Sequence, residues 1–122
     1  MSRRIVLFAH GSADPRWRAP FEALLRRLRT EMGEGAVDLA YMEFAAPTLQ
    51  DVAERARREG VSTLRLLPLF LAAGGHVARD IPVQAEEVRR RHGLQVEILP
   101  PVGEDPRFAA LVEAIAREAT EP

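Results

Sequence analysis

The chain of 122 residues carries 17 basic against 18 acidic side chains, a net charge of −1, which excludes the broad positive field that nucleic-acid binding needs. It has no cysteine, and all 17 basic residues are arginine; disulfides, thiolate metal sites, thiol nucleophiles and lysine Schiff bases are thereby removed together. With 47 % hydrophobic and 29 % charged residues, and no apolar run near the ~20 residues that span a bilayer, it reads as one globular domain over residues 1–122. A cytoplasmic setting is expected, because Met1-Ser2-Arg3-Arg4 leads straight into a strand and leaves no room for a signal peptide.

Arg4 to Ala9 (RIVLFA) is a short apolar run of the kind that forms a buried strand. His10 to Pro15 reads as a loop. Trp17 to Met32 predicts a helix, with Phe21, Leu24, Leu25, Leu28 and Met32 on one face, stopped by Gly33 and Gly35. Ala36 to Phe44 is expected as a second strand. Pro47 suits the first turn of a helix that carries Leu49, Val52, Ala53 and Ala56 and ends at Gly60. Val61 to Leu71 is the third strand region, where Pro68 cannot donate to a ladder and marks a bulge or an early end. Residues 72–75 read as a turn and His76 to His92 as a helix, with a kink or restart near Pro82. Leu94 to Leu99 is the fourth strand, residues 100–103 a loop, and Pro106 to Ala119 the last helix.

The resulting βαβαβαβα pattern predicts a four-stranded parallel sheet of order 2-1-3-4, flanked by helices in a flavodoxin-like three-layer sandwich with right-handed crossovers. In such sheets ligands bind beyond the carboxyl ends of the strands, at the point where the strand order reverses. His10 follows the first strand, Glu43 ends the second, and Gly74-Gly75-His76 follows the third. Strands ~4.8 Å apart bring these groups to one pocket. Neutral imidazoles are good ligands for divalent metals, and the helix start at His76 disfavours its charged form. Asp80, one turn on, is placed to orient that ring, and Glu43 to accept protons or bind the metal. Arg16 and Arg79 lie nearer the pocket rim, whereas the arginines at 26, 27, 29, 55, 57, 58 and 89–91 read as solvated helix faces. His92, at a helix end, is assigned no function. Phosphate chemistry is the competitor, but Ala9 precedes His10 where a phosphohistidine enzyme carries arginine. Neither a P-loop nor a GxSxG elbow is present.

Leu7-Phe8-Ala9-His10-Gly11-Ser12, Tyr41-Met42-Glu43 before Pro47-Thr48-Leu49, and Leu69-Phe70-Leu71 leading into Gly74-Gly75-His76-Val77 and Asp80-Ile81-Pro82 together resemble the class II chelatases. In particular they resemble the short sirohydrochlorin cobaltochelatase/ferrochelatase type, over nearly the whole chain. The resemblance implies a lyase that inserts Co²⁺ or Fe²⁺, with Ni²⁺ also open, into sirohydrochlorin for cobalamin or siroheme biosynthesis. It implies His10 and His76 as metal ligands, with His10, Glu43 and His76 as the catalytic group. Ser12, Arg16, Phe70, Leu71, Gly74, Gly75 and Arg79 would meet the substrate, with the apolar segment 69–73 against the macrocycle. The metal is substrate, no organic cofactor is expected, and the short members of the family pair as homodimers. Two other readings stand beside it: a non-catalytic tetrapyrrole- or metal-binding module, and a phosphotransfer enzyme using His10 as nucleophile.

Overall fold

The computed structural model describes residues 2–72 and 74–122, and of residues 76–78 the backbone without the side chains. Four strands, β1 (Arg3–Ala9), β2 (Val37–Tyr41), β3 (Thr63–Pro68) and β4 (Gln95–Ile98), alternate with four helices, α1 (Pro15–Met32), α2 (Leu49–Arg58), α3 (Gly75–His92) and α4 (Pro106–Ala119). All strand pairs are parallel and the order is β2-β1-β3-β4, as the sequence pattern predicts.

The period of two along β1 divides the interior. Val6 and Phe8 join Leu64, Leu66 and Val96 under α2 and α3; Leu7 and Ala9 join Val37, Leu39 and Tyr41 under α1. Helix α2 is fixed at its start by a capping box in which Thr48 and Asp51 satisfy each other's backbone N–H. It buries Leu49, Val52, Ala53 and Ala56. At the amino edge of the sheet the buried Asp38 accepts from Arg4 (3.1 Å), Arg29 (2.7 Å) and Arg55. One carboxylate thus ties β1, α1 and α2 to β2, far from the carboxyl edge.

The boundaries depart from the sequence reading at informative places. β2 ends at Tyr41, not Phe44, because the Tyr41 N–H turns to the carbonyl of Pro47 (2.9 Å). Residues 42–47 then form a bend over the carboxyl edge, so Glu43 does not end a strand but sits on that bend. β3 ends at Pro68 as its missing N–H requires. α3 starts one residue earlier than expected, with Gly74 as N-cap, and runs through Pro82, which lies in its second turn. A 3₁₀ turn, Val102–Glu104, replaces part of the expected loop before α4.

Candidate active site

The carboxyl ends of β1 and β2 are knitted by backbone hydrogen bonds that continue the ladder past the strands. The Met42 N–H donates to the carbonyl of Ala9 (2.8 Å) and the Glu43 N–H to that of His10 (3.0 Å). This close pairing depends on Gly11, whose φ is +110°, a conformation that costs an L side chain dearly. A Cβ there would lie 1.7 Å from the carbonyl oxygen of Glu43. Glycine after the histidine is therefore what lets the 42–44 bend lie on the 10–11 loop.

The consequence is a side-chain pair. His10 Nε2 is 3.1 Å from Glu43 Oε1, and both side chains are a little over one-third exposed (39 % and 38 %). Nδ1 of the same ring is 3.3 Å from the carbonyl of Gly11. With the proton on Nδ1, facing that carbonyl, the Nε2 lone pair points outward beside a carboxylate oxygen. Two ligand atoms, each about 2.1 Å from a divalent ion, lie about 3.0–3.4 Å apart in octahedral or tetrahedral geometry. The observed separation therefore admits one ion between Nε2 and Oε1 with little movement. Among the described residues no group of three or more His, Asp or Glu side chains forms a complete cage. His10 and Glu43 offer an open pair.

His76 is the second residue of α3, so its backbone holds the expected place at a helix start after β3. Its side chain, and the whole of Ala73, lie outside the described residues. Gly74 and Gly75 are exposed, Arg79 is exposed, and Asp80 is half-buried one turn into the helix. Leu71 is 69 % exposed on this edge. Phe70 is not laid open as expected: it is partly buried against the α2–α3 side of the core, and Leu69 against the α1 side. The apolar segment that was to face a macrocycle thus reduces, among the described residues, to Leu71 and Ala72. Ser12 is turned inward on its own loop, its Oγ accepting from the Asp14 N–H (3.1 Å). Arg16, almost wholly exposed, is held by Asp14 (3.1 Å), and its hydrogen bonds keep the Asp14 carboxyl below the usual carboxylate range.

Two contributions escaped the sequence reading. Phe44 has φ +66°, which a bulky residue adopts at a cost and typically near a working site. Its ring is 69 % exposed, with its centroid 6.3 Å from that of His10. An open aromatic face beside the His10–Glu43 pair suits a flat conjugated ligand. The signal was present, an aromatic next to a carboxylate before Ala45-Ala46-Pro47, but it was absorbed into the strand. Gln84 of α3 donates to the carbonyl of Met42 (3.3 Å), tying the bend to the helix that bears His76. The fully buried Tyr41, two residues from Glu43, is no rival base: burial first, then the nearby Glu22, push its phenol above the usual value of 10.0. His92 meets Gln50 (2.8 Å) at the end of α3, away from this edge.

Comparison with known proteins places these features in a family setting. The CbiX family profile matches residues 4–119. A sirohydrochlorin cobaltochelatase of Sulfurisphaera tokodaii is 32 % identical over 120 residues, covering 95 % of this chain and 96 % of that protein. A sirohydrochlorin ferrochelatase of Priestia megaterium is 28 % identical over 114 residues, which make up 91 % of this chain and 42 % of the longer relative. Among solved structures, a CbiX protein of Marinobacter aquaeolei assigned to cobalamin biosynthesis superposes with a TM-score of 0.86 at 35 % identity, across 98 % of this chain and 95 % of that one. Bacillus subtilis SirB with Fe³⁺ shares the fold at a TM-score of 0.85 and 21 % identity, this chain covering 49 % of it.

Proposed function

The chain belongs to the CbiX family, and from that premise we propose that it is a sirohydrochlorin metal chelatase, inserting Co²⁺ or Fe²⁺ into the tetrapyrrole. The observation that carries this reading is the His10–Glu43 pair, 3.1 Å apart at the carboxyl edge of the sheet. Insertion exchanges two pyrrole N–H protons for one divalent ion. It therefore needs a ligand that releases the ion and a base beside that ligand. His10 supplies the first, and His76, at the start of α3, is the second ligand of this reading. Glu43 accepts one pyrrole proton, and the His10 imidazole, once the ion has left it, accepts the other. Glu43 at this distance can serve as a base as well as a ligand, which insertion requires and storage does not.

Phe44 and Leu71 give the macrocycle apolar surface. Arg79 and the amino end of α3 face the acidic substituents of the ring, with Gly74 and Gly75 allowing close approach. Asp80 orients the His76 ring in this account. Arg16 plays a smaller part than the sequence suggests, since Asp14 already holds it. The ion is substrate, and no organic cofactor enters the scheme. Among the described residues no helix is long and apolar enough to cross a membrane, and the near-zero net charge offers no field to nucleic acid. We place the reaction in the cytoplasm and the working cleft between two copies of the chain, because one domain presents one wall to a plate with two faces.

The test is the visible spectrum of sirohydrochlorin with Co²⁺, Fe²⁺ or Ni²⁺, with and without the protein. A rate well above the spontaneous one for cobalt or iron is expected. Spontaneous rates with all three metals would remove the proposal.

A further inference from the structure

Helix α3 is seated on the sheet by Ile81, Ala85 and Val88, which are buried in one core cluster with Val6, Phe8 and Met42. Positions 81, 84, 85 and 88 follow the i, i+3, i+4, i+7 spacing of a core-facing stripe. Three of the four are apolar; the fourth is Gln84, half-buried. A polar group set against a core costs free energy unless it finds a partner. The partner of Gln84 is the carbonyl oxygen of Met42, to which its Nε2 donates at 3.3 Å.

That carbonyl belongs to the peptide unit that leads into Glu43. The other end of the same planar unit is the Glu43 N–H, which donates to the carbonyl of His10 (3.0 Å). One rigid plane is thus held at both ends: by the backbone of the residue whose imidazole faces Glu43, and by α3. The Met42 N–H, bonded to the carbonyl of Ala9 (2.8 Å), ties the preceding plane to the end of β1. The next residue is Phe44, whose φ of +66° persists only where the surroundings hold it. Gln84 supplies such a hold from outside the bend.

We infer that Gln84 is a positioning residue for metal insertion: by locking the 42–43 peptide plane against α3, it fixes the direction in which the Glu43 side chain leaves the backbone. It thereby keeps Glu43 Oε1 3.1 Å from His10 Nε2. Gln84 acts through Met42, not on the ion or the macrocycle, and its role in the reaction rests on the reading of the chain as a metal chelatase. A base works only within hydrogen-bond reach of the proton it takes. Misplacing such a group by about 1 Å costs up to about 10²-fold. With the Gln84 donor removed, the plane is free at one end and the carboxylate can turn away from His10. The loss then falls on the chemical step more than on substrate binding.

The test compares the full wild-type chain with Gln84→Met, which keeps the length and suits the apolar stripe but donates no hydrogen bond. Amide hydrogen exchange is read at Glu43, and steady-state Co²⁺ insertion is followed in the visible spectrum of sirohydrochlorin. The Glu43 amide should exchange at least about 5-fold faster in the variant, with the amides of Leu66 and Val88 unchanged. The kcat should fall about 10-fold, while KM for sirohydrochlorin changes by less than about 3-fold. In a Glu43→Gln background the same substitution should cost nothing further, since the group being positioned is gone. Should Gln84→Met not fold, the isosteric Gln84→Glu, whose ionised carboxylate cannot donate, takes its place with the same expected results. An unchanged Glu43 exchange rate, or an unchanged kcat beside a wild type that inserts cobalt, would overturn the positioning role and leave the chelatase reading standing. Equal losses of kcat with and without the Glu43 carboxylate would overturn it as well, as a general loosening of the edge. A wild type no faster than the spontaneous reaction with cobalt or iron would overturn the chelatase reading and the positioning role together.

Discussion

Gly11 decides whether His10 and Glu43 meet. Its Cα lies where a side chain would strike the Glu43 carbonyl, so Gly11→Ala must either push the 42–44 bend away or strain a left-handed residue. We expect a stability loss of about 2 kcal/mol, read by urea denaturation, and slower Co²⁺ insertion, read from the visible spectrum of sirohydrochlorin. Wild-type values for both would show that the close approach is dispensable. Glu43 itself is assigned to proton transfer more than to metal holding. Glu43→Gln keeps the volume and removes the base. Single-turnover insertion should slow by about 10²-fold, with Co²⁺ affinity changing far less. Lost affinity at an unchanged rate would make Glu43 a ligand instead. The sequence announces both residues by chemistry and place. It does not announce Gly11's neighbour or the outward turn of Phe44, because both arise from how one loop lies on another.

Elements were legible where local pattern and tertiary packing agree. β1 stands where its apolar run puts it, and Pro68 ends β3 because it has no N–H to give; α2 buries the expected Leu49, Val52, Ala53 and Ala56, but Pro47 lies before the helix and not in its first turn, because Thr48 is the N-cap. β2 stops short of Phe44 where the Tyr41 N–H turns to Pro47 and the 42–47 bend begins, a contact that strand propensity cannot see. α4 shows the opposite limit: its start at Pro106 is plain in the sequence, but the exposure of its Leu111, Val112 and Ile115 is not. That start has its own pH signature. Asp105 accepts from the Arg107 N–H (2.8 Å) and from its guanidinium, which hold its carboxyl at about 2 instead of 3.8. Because the folded value is depressed, the unfolded chain binds the proton more readily. The cap's contribution is complete above about pH 4 and fades as pH falls towards 2. Amide chemical shifts of residues 106–110 should move towards coil values over that interval, and should not do so in Asp105→Asn, which lacks the titrating group. Shifts that stay constant down to pH 2 would discount the ion pair as an anchor of α4.

At the scale of the whole molecule, the two edges of the sheet divide the labour. The amino edge is closed by Asp38 and its arginines; the carboxyl edge leaves His10, Glu43, Phe44 and Leu71 open. Fold class and strand order could be read from the chain because alternating strands and helices with short connections admit few parallel arrangements. The central claim is that the open pair at the carboxyl edge performs metal insertion, and the most direct test is the rate of Co²⁺ insertion into sirohydrochlorin by His10→Ala against wild type, at equal concentration of folded protein. The rate should fall at least about 10²-fold with an unchanged far-UV spectrum. A variant that inserts cobalt as fast as wild type would contradict it.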